Sequence, residues 1–281
     1  MKLCAFADEA AASLHGQIDA MQKNGIKLLE IRHVDGENIA DISIAKAREV
    51  RKMLDASGIS VWSVGSPIGK YPLSEDFAPH MDTFLHTAEL AEILGAKNMR
   101  LFSFFTEPGA DKAREKEEVF LRMRAICEQA PGKLTLCHEN EKEIYGESIE
   151  ACLSLHREFP RLRAVFDPAN FVQCGEDTEK AFDMLAPYIE YLHVKDARLG
   201  GKVVLAGDGE GKIPLILKKY RDIGGEVVTL EPHLKAFIGL DKLENGKSLE
   251  NAGIYKTGSE AFDAASARLK NILFDLGVEL T

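Results

Sequence analysis

Four side chains that commonly bind metal ions stand at the ends of four successive apolar runs in the second half of the chain. They are Glu139, Asp167, His193 and Glu231, and each is followed by a segment with a helical pattern. If the runs are parallel strands, their carboxyl ends meet at one edge and the four side chains converge. Three carboxylates and one imidazole form a hard, oxygen-rich ligand set. Such a set favours Mn²⁺ most, with Mg²⁺, Co²⁺ or Zn²⁺ as further options.

A divalent cation held in this way predicts proton transfer at carbon. The cation polarises a substrate carbonyl and stabilises the enediolate that forms when a neighbouring C–H loses its proton. Glu139 and Glu231 are the candidates for the acid/base pair that removes and returns this proton. Transfer between adjacent carbons gives an aldose–ketose isomerase, and return to the opposite face gives an epimerase. Loss of a β-hydroxyl from the same intermediate gives a dehydratase on an inosose- or shikimate-type substrate.

Strand and helix patterns alternate along the whole chain, which predicts a parallel sheet. The predicted strands are Lys2–Ala7, Ile26–Arg32, Ser60–Val64, Asn98–Phe104, Lys133–Glu139, Arg163–Asp167, Tyr191–Lys195 and Val227–Glu231. Eight strand–helix pairs in 281 residues predict one (β/α)8 TIM barrel domain over residues 1–281. A doubly wound open sheet is the main alternative, but ligand-type residues at four consecutive strand ends fit the mouth of a barrel better.

The composition of the chain argues against a nucleic-acid-binding or membrane-spanning protein. The net charge of -10 and the lack of a long basic stripe argue against a nucleic-acid partner. No apolar run approaches the roughly 20 residues that a membrane span needs, so no membrane partner is expected. Asp8 and Glu9 interrupt the first apolar stretch, which predicts a strand there and a cytoplasmic protein. Five cysteines without C-x-x-C spacing predict reduced and mostly buried thiols.

The motifs around these strand ends resemble those of a known family. They are His138-Glu139-Asn140-Glu141, Phe166-Asp167-Pro168-Ala169-Asn170, Leu192-His193-Val194-Lys195-Asp196, Leu230-Glu231-Pro232-His233 and Ser66-Pro67-Ile68-Gly69-Lys70. In these motifs and their order, the chain resembles the xylose-isomerase-like TIM barrels, which include sugar phosphate isomerases and epimerases. The resemblance implies that Glu139, Asp167, His193 and Glu231 bind the metal and that Glu139 and Glu231 also exchange the proton. It also implies a small sugar or sugar phosphate as substrate and makes a homodimer plausible.

Two departures from the resemblance restrict the activity. Asn170 stands where apurinic endonucleases with three zinc ions, and many ketose 3-epimerases, carry histidine. Residues 202–212 contain no histidine either, so a DNA-cleaving hydrolase is a distant alternative. A barrel that binds a sugar without turnover also remains open.

Five further residues are candidates for substrate binding. Asn170 can bind a sugar hydroxyl, Lys70 and one of Lys195 or Arg198 can bind an anionic oxygen, and Glu30 can accept a hydrogen bond from a hydroxyl or form an internal ion pair. The segment Gly207–Gly211 lacks the lysine of a phosphate loop and is interpreted as a turn or lid.

Overall fold

Eight parallel strands close into a barrel in a computed structural model that describes residues 1–107, 109–238 and 254–281. Each strand pairs with its neighbours in chain order, and the first pairs with the last. This arrangement confirms the predicted (β/α)8 TIM barrel. The strands are β1 Lys2–Ala5, β2 Leu28–Ile31, β3 Ser60–Gly65, β4 Asn98–Leu101, β5 Thr135–Glu139, β6 Arg163–Phe166, β7 Ile189–Val194 and β8 Val227–Leu230.

Helices connect the strands around the barrel. They are α1 Leu14–Lys23, α2 Ile44–Ala56, α3 Phe77–Leu94, α4 Lys112–Gln129, α5 Ile149–Glu158, α6 Pro168–Gln173, α7 Thr178–Leu185, α8 Ile213–Asp222 and α9 Gly258–Asp275. Side-chain caps begin many of them: Ser13, Ser43 and Asp111, for example, accept hydrogen bonds from backbone N–H groups in the first turn.

Strand β4 is three residues shorter than the predicted Asn98–Phe104. Phe104 has a φ of 67°, in the left-handed region that a strand does not use. The N–H groups of Phe102 and Phe104 donate to the carbonyls of Ile68 and Gly69 in the loop after β3. The chain beyond β4 is therefore tied to this loop rather than to β5.

The barrel interior is filled by a small layer of side chains. Cys4, Cys137, Val165, Tyr191 and Val227 form a separate buried cluster, against which Leu28 and Trp62 pack. Successive side chains of a strand point to opposite faces, so residues two positions further on face the interior again. Glu139, Asp167 and His193 lie two positions after Cys137, Val165 and Tyr191 respectively, so their side chains also face the barrel interior.

The segment Gly207–Gly211 is fixed to the barrel by Asp196. The backbone N–H groups of Gly207, Gly209 and Gly211 donate to the Asp196 carboxylate at 2.8, 3.0 and 2.8 Å. A Cβ at Gly209 would lie 2.4 Å from Asp196 Oδ1, so glycine is needed for this approach. These bonds describe an anchored turn.

All five cysteines are free, and Cys4, Cys137 and Cys152 are buried, which confirms the predicted thiols. Among the residues described, no helix has the length and apolarity that crossing a membrane would require.

Candidate metal centre

The four predicted ligands meet at the mouth of the barrel, the end formed by the carboxyl ends of the strands. One ligand atom from each of Glu139, Asp167, His193 and Glu231 lies within 4.8 Å of the other three. All four side chains are buried. Glu139 and His193 belong to β5 and β7, whereas Asp167 and Glu231 directly follow β6 and β8.

His193 is oriented by a chain of polar side chains within the barrel. Its Nε2 lies 3.1 Å from Glu30 Oε2, while the Tyr191 hydroxyl donates to Glu30 Oε1 at 2.7 Å. Ser63 Oγ is 3.0 Å from the same hydroxyl. A carboxylate on one imidazole nitrogen fixes the ring and leaves the other nitrogen for a metal. His193 Nδ1 accordingly faces Glu139 Oε1 at 3.0 Å and Glu231 Oε2 at 3.1 Å.

The two carboxylate oxygens of Asp167 have different roles: one caps a helix, and the other belongs to the cluster of predicted ligands. Oδ1 accepts a hydrogen bond from the Asn170 N–H at 3.0 Å and caps helix α6, which begins at Pro168. Asn140 fixes the backbone of Asp167 on both sides, accepting from its N–H at 3.0 Å and donating to its carbonyl at 2.9 Å. Oδ2 is thereby left for the cluster.

Basic side chains neutralise the carboxylates of the cluster. Lys195 Nζ lies 2.9 Å from Asp167 Oδ2 and 3.5 Å from Glu231 Oε2. Neither of these buried oxygens accepts a hydrogen bond of good geometry from the described residues. Such oxygens, together with His193 Nδ1, suit a divalent cation, which needs ligand atoms directed at it. The residues present therefore fit the metal that the sequence predicts.

The charges around the cluster set its protonation. Burial disfavours ionised Glu139, but the charges of His193 and Arg100 outweigh it and hold the pKa of this carboxyl at about 2. The pKa of Glu231 lies well below its usual range, because the charges of Lys195, His193 and His233 outweigh its burial. Burial lowers the pKa of His193, but Glu139, Glu30 and Glu231 outweigh this effect and raise it well above its usual value. Both glutamates are thus ionised at neutral pH.

A second cluster of possible metal ligands also contains Glu231. Glu9, Glu231 and His233 are close enough to hold a cation, but Arg32 already lies among them. The Arg32 guanidinium is 3.0 Å from Glu231 and 3.4 Å from Glu9, and it also donates to both oxygens of Asp8. This group is an internal ion-pair network, because the guanidinium supplies the positive charge.

The structure places three of the other predicted residues in or beside the site. Lys195 lies within the cluster. The Asn170 amide donates to Glu139 Oε1 at 3.3 Å, while its buried Oδ1 has no hydrogen-bond partner within the described ranges. Lys70 is ion-paired with Glu141 at 2.9 Å and lies over the Phe102 ring.

Two of the predicted substrate-binding residues have other surroundings in the structure. Glu30 is fully buried and uses its oxygens for Tyr191 and His193, which is the internal pairing that the sequence left open, and it thereby orients His193. Arg198 is exposed, next to the turn that joins the short strands Asp196–Ala197 and Val203–Val204. A role of Arg198 in substrate binding stays a prediction.

The sequence prediction missed Arg100, which contacts Glu139 at 2.9 Å. The available signal was its position, since a charged residue between Met99 and Leu101 in a buried strand must face the barrel interior. Asp8, which the sequence analysis treats only as an interruption of the first apolar stretch, holds Arg32 beside Glu231.

Comparisons with known proteins identify the family and the fold of the chain. The model of the family described as xylose isomerase-like TIM barrel matches residues 18–264. A search of curated proteins by sequence found no match. Solved structures do match over nearly their full length. A D-psicose 3-epimerase from Clostridium cellulolyticum H10 is 15% identical, with a TM-score of 0.74 over 98% of this chain and 99% of that one.

Two further solved structures are similar to the chain. The probable 3-DHS dehydratase AsbF from Bacillus anthracis is 18% identical, with a TM-score of 0.72 over 96% of this chain and 99% of its own. An IOLI protein with a bound zinc atom is 17% identical, with a TM-score of 0.72 over 98% and 99%. At these identities the likeness shows the fold. The family match covers most of the chain, and the chain therefore belongs to the xylose isomerase-like TIM barrel family.

Proposed function

We propose that the protein is a divalent-metal-dependent isomerase or epimerase of a sugar or sugar phosphate. The observation that carries the proposal is the meeting of Glu139 and Glu231 at one imidazole nitrogen, with Asp167 beside them. Family membership and the sugar epimerases among the similar structures support the same class of reaction.

Glu139, Asp167, His193 and Glu231 would hold the cation. When bound, it would supply a Lewis acid that polarises a substrate carbonyl and stabilises charge on the neighbouring oxygens. Mn²⁺ suits three carboxylates and one imidazole best, and Mg²⁺, Co²⁺ and Zn²⁺ are further options. The similar IOLI structure contains a bound zinc atom, which supports metal binding by a protein of this fold.

Glu139 and Glu231 would move the proton. Their low pKa values keep both carboxylates ionised, so each is ready to accept a proton from a substrate carbon. In isomerisation, the glutamate that has taken up the proton would return it to the adjacent carbon. In epimerisation, the partner glutamate would first take up a proton from water and then donate it to the opposite face of the original carbon, while the first glutamate releases its proton to water.

Other side chains would orient the substrate. Asn170 Oδ1 is buried and directed at no donor in the described chain, so it can accept a hydrogen bond from a sugar hydroxyl. Lys195 would attract substrate oxygens that carry negative charge. Lys70 would act at the edge of the site, beside Phe102.

A dehydratase is the second candidate, and the likeness to AsbF favours it. It would use the same residues to remove the proton, after which a β-hydroxyl would leave as water. Analysis of products for loss of water separates the two activities.

The proposal is tested by hydrogen exchange at carbon. Protein loaded with Mn²⁺ is incubated in deuterated water with a panel of ketoses, aldoses, their phosphates and cyclic polyhydroxy ketones, and NMR measures deuterium uptake at carbon. We expect uptake into at least one compound, and a loss of about 10²- to 10⁴-fold in both Glu139→Gln and Glu231→Gln, because an amide cannot accept the proton.

Glu190→Gln is the matched control, since Glu190 lies at the other end of the barrel. It should exchange like the wild type. Exchange that persists in Glu139→Gln or Glu231→Gln at the wild-type rate would contradict the assigned pair.

A further inference from the structure

Arg100 is a buried arginine that uses few of its hydrogen-bond donors. It is 2% exposed, and its Nη1 donates to Glu139 Oε2 at 2.9 Å. Its Nε has no hydrogen-bond partner in any described part of the chain. A guanidinium carries five N–H donors, and a buried donor without a partner costs stability. Arg100 is therefore equipped for an acceptor that the polypeptide does not supply.

The surroundings hold the guanidinium in place without occupying its donors. Its carbon lies 4.5 Å from the centre of the Phe102 ring and 5.7 Å from that of Phe6. A Cβ at Gly65 would come within 3.1 Å of Arg100 Nη2 and 2.6 Å of Phe6, so a larger residue there would displace both. Aromatic faces stabilise a cation while leaving its edge free for hydrogen bonds.

Arg32, a second buried arginine of the site, differs from Arg100 because several carboxylates bind it. It is equally buried, but Asp8 binds it through both carboxylate oxygens and Glu9 lies 3.4 Å away. Arg32 would keep these partners whatever Glu231 does. Within the described residues Arg100 has one carboxylate, Glu139, which is itself a predicted metal ligand.

Metal binding would reduce the negative charge that Glu139 offers to Arg100. A cation that draws on the charge of Glu139 weakens the ion pair that neutralises the arginine, and a buried charge needs a partner. Lys70 lies nearby, with its Nζ 4.6 Å from the same Phe102 ring, but Glu141 at 2.9 Å balances its charge. The surroundings of Arg100 itself thus favour a ligand that carries negative charge.

We propose that Arg100 binds a carboxylate or phosphate group of the substrate, which makes the substrate an acidic polyhydroxy compound rather than a neutral sugar. This inference rests on the proposed function and deepens it by naming the class of substrate. Arg100 acts here as a residue that determines specificity, because its planar fork matches the geometry of either anion.

The test compares charged and neutral probes of similar shape. Mn²⁺ is first titrated into wild-type protein by calorimetry. The loaded protein then receives quinate or its neutral counterpart myo-inositol, and D-fructose 6-phosphate or its neutral counterpart D-fructose. The two pairs distinguish a carboxylate from a phosphate, and each probe titrated into Mn²⁺ without protein corrects for chelation in solution. The variants are Arg100→Met, Arg100→Lys and the control Arg163→Met at the opposite end of the barrel.

We expect one charged probe to bind wild type at least about tenfold more tightly than its neutral counterpart, which is the scale of a charge-assisted hydrogen bond. Arg100→Met should abolish the preference, Arg100→Lys should reduce it, and Arg163→Met should keep it. Arg100→Met should bind Mn²⁺ at least as well as wild type, whereas a purely structural role in holding Glu139 predicts weaker Mn²⁺ binding.

Three results would overturn the inference: no preference for either charged probe, a preference that survives in Arg100→Met, or one that is unchanged in Arg100→Lys if the methionine variant fails to fold. Failure of the first titration, with no Mn²⁺ bound to wild type, would instead refute the proposed function itself.

Discussion

At the carboxyl ends of the strands, charged side chains are buried against each other, whereas at the amino ends a cavity of about 520 Å³ is lined mainly by uncharged groups. Trp62, Tyr220 and the backbone of Gly224 and Gly225 form much of its wall. One ion pair, Arg163–Glu190, borders this cavity at 3.2 Å, and both side chains are about one-third exposed.

The difference shows that the cavity and the cluster of potential metal ligands lie at opposite ends of this barrel. Charged groups are costly to bury, so a cluster of them survives where each is paired or where a ligand completes the set. Closure of the barrel does not depend on the charges at the mouth, because Cys137, Val165 and Tyr191 already fill its interior beneath them. The amino end instead serves the stability of the barrel, as is usual for this fold.

The largest expected effect is on metal affinity at the mouth. His193→Ala removes a ligand and should weaken Mn²⁺ binding by more than about 100-fold, while Glu30→Gln, which removes only the group that orients it, should cost roughly 10- to 100-fold. Calorimetric titration with Mn²⁺ measures both. Equal affinity in Glu30→Gln and wild type would mean that the carboxylate beneath His193 does not orient the ring.

Acid should weaken metal binding at the mouth in two stages. His193, whose pKa is raised well above its usual value by Glu139, Glu30 and Glu231 despite its burial, must lose a proton when its Nδ1 binds a metal. Burial raises the pKa of Asp167 to about 7, helped by Glu231 and Glu139 and opposed by Lys195, so below that pH a second proton must leave. Mn²⁺ affinity should then fall about tenfold per pH unit from 8 to 7 and more steeply, towards about 100-fold, below 7.

The check is calorimetry at pH 8, 7 and 6 in two buffers of different ionisation enthalpy, which counts the protons released. An affinity that is constant over this range, or that rises on acidification, would contradict the protonation described for the cluster.

Much of this architecture follows from local patterns in the sequence. A helical pattern runs from Ile149 to Phe159 in the sequence, for example, and helix α5 is observed at Ile149–Glu158. Its apolar spacing, its Ser148 cap and the following Pro160 are all local signals. The ends of the strands that precede Asp167 and Glu231 could be predicted for the same reason, since each strand is a local apolar run. The fold of a parallel barrel then brings the ends of such strands together whatever their separation in the chain.

The roles of Glu30 and Arg198 were not readable, because they depend on distances across the chain. Glu30 meets His193, which lies 163 residues away, through the interior of the closed barrel, and no local pattern encodes that contact. The exposure of Arg198 depends on the hairpin formed by Asp196–Ala197 and Val203–Val204. Periodicity gives the face of a strand, but the partner across a barrel follows only from its closure.

The smallest expected effect is at the amino end, where Glu190→Gln breaks the ion pair with Arg163. This substitution should lower the free energy of unfolding by less than about 1 kcal/mol, measured by urea titration, because partly exposed ion pairs contribute little. Arg163 also keeps its hydrogen bonds to the carbonyls of Pro187 and Ile189, both at 3.1 Å. Mn²⁺ affinity should stay within about twofold of wild type, since a group in high-dielectric surroundings far from the cluster has little influence on it. A tenfold loss of Mn²⁺ affinity in Glu190→Gln would mean that the two ends are coupled, with Trp62 and Tyr191, whose ring centres are 6.1 Å apart, as the connecting contact.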